Sequence, residues 1–325
     1  MTCLSDSFQR PINYLRISVT DRCNLRCVYC MPEQGVALMP HGEILRYEEI
    51  LQVAQAAAAV GINKLRVTGG EPLVRSELTE LVRMLSGVAG IDDIALTTNG
   101  VLLSQHAAPL KEAGLRRVNV SLDTLDGDRY ARITRHGRLE DVLDGIAAAK
   151  DAGLEPVKIN VVVMEGTNDD EVLEFARLTV DEGWHVRFIE LMPFNSDNHL
   201  SFVATSEIME RLLAVGPLEP CLHSHGNGPA KYFRFPQATG TVGFISPITE
   251  HFCFNCNRLR LTADGKLRPC LLSDYEVDLK TPLRSGASLD ELMELIRQAV
   301  AAKPRGHQLA KGVRPKKRAM RQVGG

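Results

Sequence analysis

Six short runs rich in β-branched residues alternate with helical patterns between Tyr14 and Ile189, and this alternation constrains the fold more than any other feature of the sequence. The runs are Tyr14 to Val19, Leu65 to Thr68, Ile94 to Thr97, Val118 to Ser121, Val157 to Val162 and Val186 to Ile189. Helical periodicity fills the gaps over Tyr47 to Val60, Glu77 to Ser86, Ser104 to Ala113, Leu139 to Ala152 and Asp170 to Glu182. Several of these helices run into a glycine (Gly61, Gly114, Gly153, Gly183), which suits a left-handed C-cap. Strand and helix in alternation predict an α/β fold, a parallel sheet joined by right-handed crossovers.

In barrels built this way the active site lies at the carboxyl ends of the strands. The unusual residues of this chain fall there: Cys23 to Cys30 after the first run, Gly69-Gly70-Glu71-Pro72 after the second, Thr98-Asn99-Gly100 after the third, Leu122-Asp123 after the fourth and Glu190-Leu191-Met192-Pro193 after the last. From about Ser201 the character changes. A helical stretch, Ser206 to Val215, leads into the Gly/Pro/His-rich passage Pro217 to Pro229, then into β-like pieces at Lys231 to Phe235 and Thr241 to Ile245. A last helix is expected over Leu289 to Ala301, followed by a basic, unstructured end from Lys311 to Gly325. The division predicted is residues 1–200 and 201–325, the second a smaller module packed on the first.

Cysteine usage narrows the chemistry. Eight Cys in 325 residues do not describe a small secreted scaffold, and six of the eight fall in two tight groups, with Cys3 and Cys221 apart as ordinary thiols. Cys23, Cys27 and Cys30 offer three sulfurs and no obvious fourth ligand, which suits an iron–sulfur cluster with one iron left open. Positions i, i+4 and i+7 would also form a buried helical stripe. The neighbours Asp21, Arg22, Asn24 and Arg26 leave too few apolar residues for that. The second group is Cys253, Cys256 and, after thirteen residues, Cys270. A zinc knuckle or a redox pair are its alternatives to a second cluster, but zinc needs a fourth ligand and His251 and Cys221 are weakly placed.

Charge excludes other classes. Lys and Arg total 38 against 40 Asp and Glu, a formal net charge of −2, so nothing calls for a nucleic acid or membrane partner and any anion site is local. The start, Met1-Thr2-Cys3-Leu4-Ser5-Asp6, has no basic segment followed by an apolar core, so a signal peptide is not expected, and no apolar run is long enough to span a bilayer. A cytoplasmic protein is the expectation. With 44% hydrophobic residues it can fill a substantial core.

Local basic groups are placed suggestively. Arg258 and Arg260 are two apart on a strand and share a face, where two guanidinium forks suit a phosphate or carboxylate; a solvated strand face is the competing explanation. Arg16, Arg66, Lys158 and Arg187 sit inside strand runs. Several basic groups directed into one barrel predict an anionic ligand, although each singly could pair with a local acid. The glycines of Gly69-Gly70 permit close backbone approach but match no dinucleotide fingerprint.

Taken together, Cys23-x3-Cys27-x2-Cys30, with aromatic Tyr29 before its last Cys, resembles the radical S-adenosylmethionine signature. The second group, with Asn257-Arg258-Leu259-Arg260-Leu261-Thr262-Ala263-Asp264-Gly265-Lys266-Leu267-Arg268-Pro269-Cys270, resembles the GTP 3′,8-cyclase family of molybdenum cofactor biosynthesis, and the likeness runs from the opening strand to the terminal diglycine. The resemblance implies an incomplete (βα)6 barrel closed by a C-terminal domain that carries an auxiliary cluster. It implies two [4Fe-4S] clusters, one on Cys23, Cys27 and Cys30 that chelates S-adenosylmethionine, the other on Cys253, Cys256 and Cys270. Tyr29, Gly70, Ser121 and Met192 occupy the family's cofactor positions. Arg16, Arg66, Thr97, Lys158 and the segment Arg258, Leu259, Arg260 occupy those for GTP.

The implied activity is a lyase reaction in which a 5′-deoxyadenosyl radical takes hydrogen from the ribose C3′ of GTP and the resulting radical attacks C8. Arg187 is implied as a phosphate or intermediate contact, and Gly324 and Gly325 as a tail that enters the barrel and supports turnover, where a frayed end would otherwise be expected. An unidentified one-electron donor and the downstream cyclic pyranopterin monophosphate synthase are the implied partners, and a homodimer is compatible with them. Two readings compete: a radical peptide maturase, which leaves Arg258 and Arg260 unexplained, and a non-catalytic iron–sulfur or zinc scaffold.

Overall fold

The computed structural model describes residues 4–194, 200–221, 228–309 and 313–324. Strands β1 (Tyr14–Ser18), β2 (Lys64–Thr68), β3 (Asp93–Thr98), β4 (Arg117–Ser121), β5 (Lys158–Val163) and β6 (His185–Glu190) lie side by side in sequence order, each parallel to the next. Helices α1 (Tyr47–Ala59), α2 (Leu78–Ser86), α3 (Leu103–Glu112), α4 (Gly127–Thr134), α5 (Leu139–Asp151) and α6 (Val172–Asp181) connect them.

Alternation along each strand separates two faces. Leu15, Ile17, Leu65, Val67, Leu96, Val118, Val120, Ile159 and Val161 turn to the helices and are fully buried in the core. Burying each such side chain stabilises the fold by roughly 1.5–3 kcal/mol. Arg16, Arg66, Thr97, Asn160 and Arg187 alternate with them and turn the other way, into a cavity of about 330 Å³.

The rest of the chain continues the same sheet. After α7 (Thr205–Leu212) come β7 (Glu219–Pro220), β8 (Lys231–Arg234) and β9 (Thr241–Ile245), then β10 (Arg258–Leu261), β11 (Lys266–Arg268) and β12 (Val277–Asp278), and finally α8 (Lys280–Arg284) and α9 (Leu289–Ala301). β9 adds parallel to β6 and β10 adds parallel to β1, giving a twelve-stranded order β12-β11-β10-β1-β2-β3-β4-β5-β6-β9-β8-β7. The ends of that order, β12 and β7, do not pair, so the barrel is open, in keeping with the incomplete (βα)6 expectation. Among the described residues no helix is long and apolar enough to cross a membrane.

Two features depart from the sequence expectation. Helix α4 was not anticipated because it buries only Tyr130, Ile133 and Thr134, too narrow a stripe to stand out; Asp126 caps it by accepting from the Arg129 amide at 2.6 Å. The C-terminal end is a correction. Residues 313–324 were expected to be unstructured, yet Met320–Gln322 form a 3-10 turn, Val323 is buried, and the Lys316 and Lys317 amides donate to Asp274 at 2.9 and 3.2 Å. Carboxylates distant in sequence hold the basic segment down. Gly325 and Cys3 lie outside the described residues.

Candidate active site

The first cysteine loop is shaped by the turn after β2. The Gly70 amide donates to the Thr20 carbonyl and the Glu71 amide to the Arg22 carbonyl, both at 2.8 Å. A Cβ on Gly70 would stand 2.3 Å from the Arg22 carbonyl oxygen, so only glycine lets the two loops approach this closely. Arg135 braces the far side, donating to the Arg26 and Met31 carbonyls at 2.8 and 3.0 Å.

Cys23, Cys27 and Cys30 thereby face one cavity. Burial pushes the Cys23 thiol up, Cys27 well up and Cys30 to about 11; Asp123 adds to the rise at Cys27 and Cys23 to that at Cys30. Three half-buried thiols that repel one another's ionised forms make a donor set that a positively charged group would stabilise. The Tyr29 hydroxyl donates to Asp123 Oδ2 at 2.7 Å, and the Val162 amide donates to Asp123 Oδ1 at 2.8 Å. Burial lifts Asp123 to about 6 and Tyr29 well above its usual range, with Asp123 reinforcing the latter.

The second cysteine group enters from the β10 side. Cys253–Asn255 form a 3-10 turn, and β10 follows in register with β1, so Arg258 lies beside Tyr14 and Arg260 beside Arg16. Cys253, Cys256 and Cys270 line the same cavity as the first three thiols. Burial raises the Cys253 thiol, whereas at Cys256 burial is outweighed by Arg258 and Lys303, which bring it down to about 6. Among the described residues no three His, Cys, Asp or Glu side chains form a group that could hold a single metal ion. Three cysteine sulfurs facing one cavity after β1 are a donor set that fits an iron–sulfur cluster.

Between the two sets lies a basic wall. Burial lowers the pKa of Arg16 well below its usual value, with Arg260 adding to the effect, and lowers Arg260 to about 9, with Arg258 adding. Lys158 is brought down to about 6 by burial and then by Arg187; its Nζ reaches the Tyr232 hydroxyl at 3.3 Å. Arg187 donates to Asn119 Oδ1 at 2.6 Å, and its Nε and that of Arg66 make no hydrogen bond among the described residues. Cations that depress one another in a buried wall are relieved by an anion.

Most residues singled out from sequence converge here. Arg16, Arg66, Thr97, Arg187, Arg258 and Arg260 line the cavity, as do Tyr29, Gly70, Ser121 and Met192. Lys158 is not among the lining residues; it is buried, with its Nζ on the Tyr232 hydroxyl. Leu259 does not join them: it is fully buried on the opposite face of β10, as strand alternation requires. Gly324 reaches the site by its carbonyl, which accepts from Arg260 Nη1, as does that of Val323 at 3.2 Å.

Other groups were placed at the strand ends from sequence without a role, or not singled out at all. Asn99 donates to Asn24 Oδ1 at 2.8 Å and reaches Cys23 Sγ at 3.9 Å, while Glu71 accepts from the Asn99 amide at 2.6 Å and from Thr98 Oγ1 at 2.7 Å. Burial raises Glu71 to about 7. Tyr14, Met320, Arg321 and His307 also line the cavity. Tyr14 carried a usable signal, since it is two residues from Arg16 on the same strand face.

Comparison with known proteins decides the family. Residues 17–179 match the radical SAM superfamily and residues 184–309 match Molybdenum Cofactor Synthesis C. A GTP 3′,8-cyclase from Pelotomaculum thermopropionicum is 58% identical over 99% of this chain and all of its own length. The chain belongs to the GTP 3′,8-cyclase family of radical S-adenosylmethionine enzymes. A second such relative, from Moorella thermoacetica, is 55% identical over 99% of this chain and all of its own. Among solved structures, Streptococcus suis SuiB bound to precursor peptide SuiA has a TM-score of 0.62 at 12% identity, covering 94% of this chain and 74% of that one. SuiB bound to S-adenosylmethionine has a TM-score of 0.61 at 14% identity, covering 88% and 68%. At such identity the likeness speaks to the fold alone.

Proposed function

We propose that this protein is a radical S-adenosylmethionine lyase that cyclises GTP to (8S)-3′,8-cyclo-7,8-dihydroguanosine 5′-triphosphate, the first step of molybdopterin biosynthesis. The observation that carries the reading is the placement of two three-thiol sets and a wall of arginines around one cavity. Cys23, Cys27 and Cys30 would hold the first [4Fe-4S] cluster and Cys253, Cys256 and Cys270 the second. When bound, the first cluster and S-adenosylmethionine supply the electron and the 5′-deoxyadenosyl radical that no side chain provides.

The chain's own residues do the rest. Tyr29, held by Asp123, and Gly70, Ser121 and Met192 shape the cofactor's side of the cavity. Arg16, Arg66, Arg258 and Arg260, together with Lys158, neutralise the triphosphate, and Thr97 lies within the same wall at 3.4 Å from Arg66 Nη1. Leu259 serves by packing β10, so that its two neighbours face the ligand. Arg187, fixed by Asn119, is placed to meet a phosphate or the reacting nucleotide. Gly324, followed by Gly325, brings the tail to Arg260. The enclosing walls keep water from a reactive carbon radical.

The same reading divides the chain into a partial barrel over 1–200 and a cluster- and substrate-binding region over 201–325. It makes the protein cytoplasmic, fed by an unidentified one-electron donor and followed by cyclic pyranopterin monophosphate synthase, with a homodimer compatible. Anaerobically reconstituted protein given S-adenosylmethionine and reductant should release 5′-deoxyadenosine faster when GTP is added, with no such gain from ATP. Release indifferent to the nucleotide contradicts GTP as the substrate.

A further inference from the structure

Lys303 follows α9 and is 3% exposed, yet among the described residues no carboxylate lies within ion-pair distance of its ammonium. A cation after a helix can simply complement the helix dipole. Lys303 does something else with its side chain: Nζ donates to the Arg258 carbonyl at 2.7 Å and to the Pro269 carbonyl at 2.6 Å. Arg258 is two residues beyond Cys256 and Pro269 immediately precedes Cys270. One ammonium therefore ties together the two backbone arms that carry these thiols.

The adjoining residues are tied to the third thiol. Arg10, paired with Asp6 at 2.6 Å, donates to the Cys253 carbonyl at 2.6 Å, to Pro304 at 2.7 Å and to Arg305 at 3.0 Å. A Cβ on Gly306 would sit 3.8 Å from Cys253 Sγ. Arg10 has its carboxylate, whereas Lys303 has only carbonyl oxygens. A buried charge without a counterion is costly, so the molecule must supply negative charge nearby.

We infer that Lys303 is a positioning residue of the second three-cysteine site, holding the Cys256 and Cys270 arms in register and serving as the built-in countercharge of an anionic cluster bound there. This rests on the two-cluster reading above. A fixed cation beside a cluster favours its more negative, reduced form, so Lys303 raises the potential of the second cluster.

The test uses the full chain, reconstituted anaerobically, as wild type, Lys303→Met and Lys303→Arg. Iron and sulfide are counted, and each cluster is followed by electron paramagnetic resonance during a redox titration. Lys303→Met should lose the second cluster, or retain it with about a tenfold lower ratio of reduced to oxidised cluster at a fixed potential, which is ~59 mV for one electron. Lys303→Arg should restore most of the shift, with the first cluster unchanged throughout. Wild-type iron content and an unmoved second midpoint in Lys303→Met overturn the inference, as does an equal change at both clusters. A wild-type chain that holds only one cluster, or zinc in the second site, instead defeats the two-cluster reading.

Discussion

Arg318 donates from Nη1 and Nη2 to the two oxygens of Asp264, at 3.0 and 2.9 Å, so a residue near the C-terminus is forked onto the turn between β10 and β11. The same guanidinium also bonds Glu276, with Nη2 at 2.9 Å from Oε2. The three groups stabilise one another: the carboxylates lift Arg318 above its usual range despite burial, and Arg318 holds Asp264 and Glu276 below theirs. This fork sits where the tail turns inward to place the Val323 and Gly324 carbonyls on Arg260.

Replacing Arg318 by Gln should therefore free the tail without touching either thiol set. Product formation is expected to fall about tenfold or more, on the order of one lost charge-assisted pair. Hydrogen exchange at the Val323 amide should speed up while iron content stays constant. Unchanged exchange and turnover would return the tail to a passive role.

Arg258 and Arg260 share the cavity face of β10, and substitution of both by Ala should weaken GTP binding by ~10- to 100-fold. Affinity for S-adenosylmethionine, measured by equilibrium dialysis, should hardly move, because Tyr29, Gly70 and Met192 belong to the loops that follow β1, β2 and β6 rather than to β10. Equal loss of both ligands would remove the two arginines from the substrate role.

Lys158 gives a pH signature. With its pKa near 6 in the unliganded fold and 10.5 as the reference, the folded protein holds fewer protons than the unfolded chain between those values, so this group makes stability rise with pH across that window. A bound triphosphate restores the charge. GTP binding at pH 7.5 should thus take up protons, seen calorimetrically as a dependence on buffer ionisation enthalpy, and Lys158→Met should lose that component. Binding with no proton uptake contradicts the assignment.

Gly70→Ala forces a Cβ against the Arg22 carbonyl, and backbone cannot yield as a side-chain end can. A loss of roughly 1–3 kcal/mol is expected from overpacking, with weaker S-adenosylmethionine binding because the cysteine loop must shift. A thermal melt and a cofactor titration check both; wild-type values in each would show that the two loops are not locked together.

Periodicity made much of this legible in the sequence. Arg16, Arg66 and Arg187 each follow a core residue on a strand, so their direction was readable, and the spacing of Cys23, Cys27 and Cys30 spoke for itself. Leu259 is instructive, since the alternation that turns Arg258 and Arg260 inward turns it outward. What escaped depended on contacts between distant residues. The Tyr29–Asp123 bond joins the loop after β1 to that after β4, Asn99 reaches the cysteine loop from β3, and the tail is held by Asp264, Asp274 and Glu276. No local pattern marks such pairs. The continuity of the sheet beyond residue 201 was likewise invisible to composition: the later strands extend both edges of the barrel sheet.

The most direct measurement of the central claim is a single anaerobic turnover with GTP carrying deuterium at ribose C3′, S-adenosylmethionine and a reductant. The account predicts deuterium in the released 5′-deoxyadenosine together with a cyclised nucleotide, and neither product from a chain whose Cys23, Cys27 and Cys30 are all Ala. Unlabelled 5′-deoxyadenosine with GTP recovered intact would contradict it.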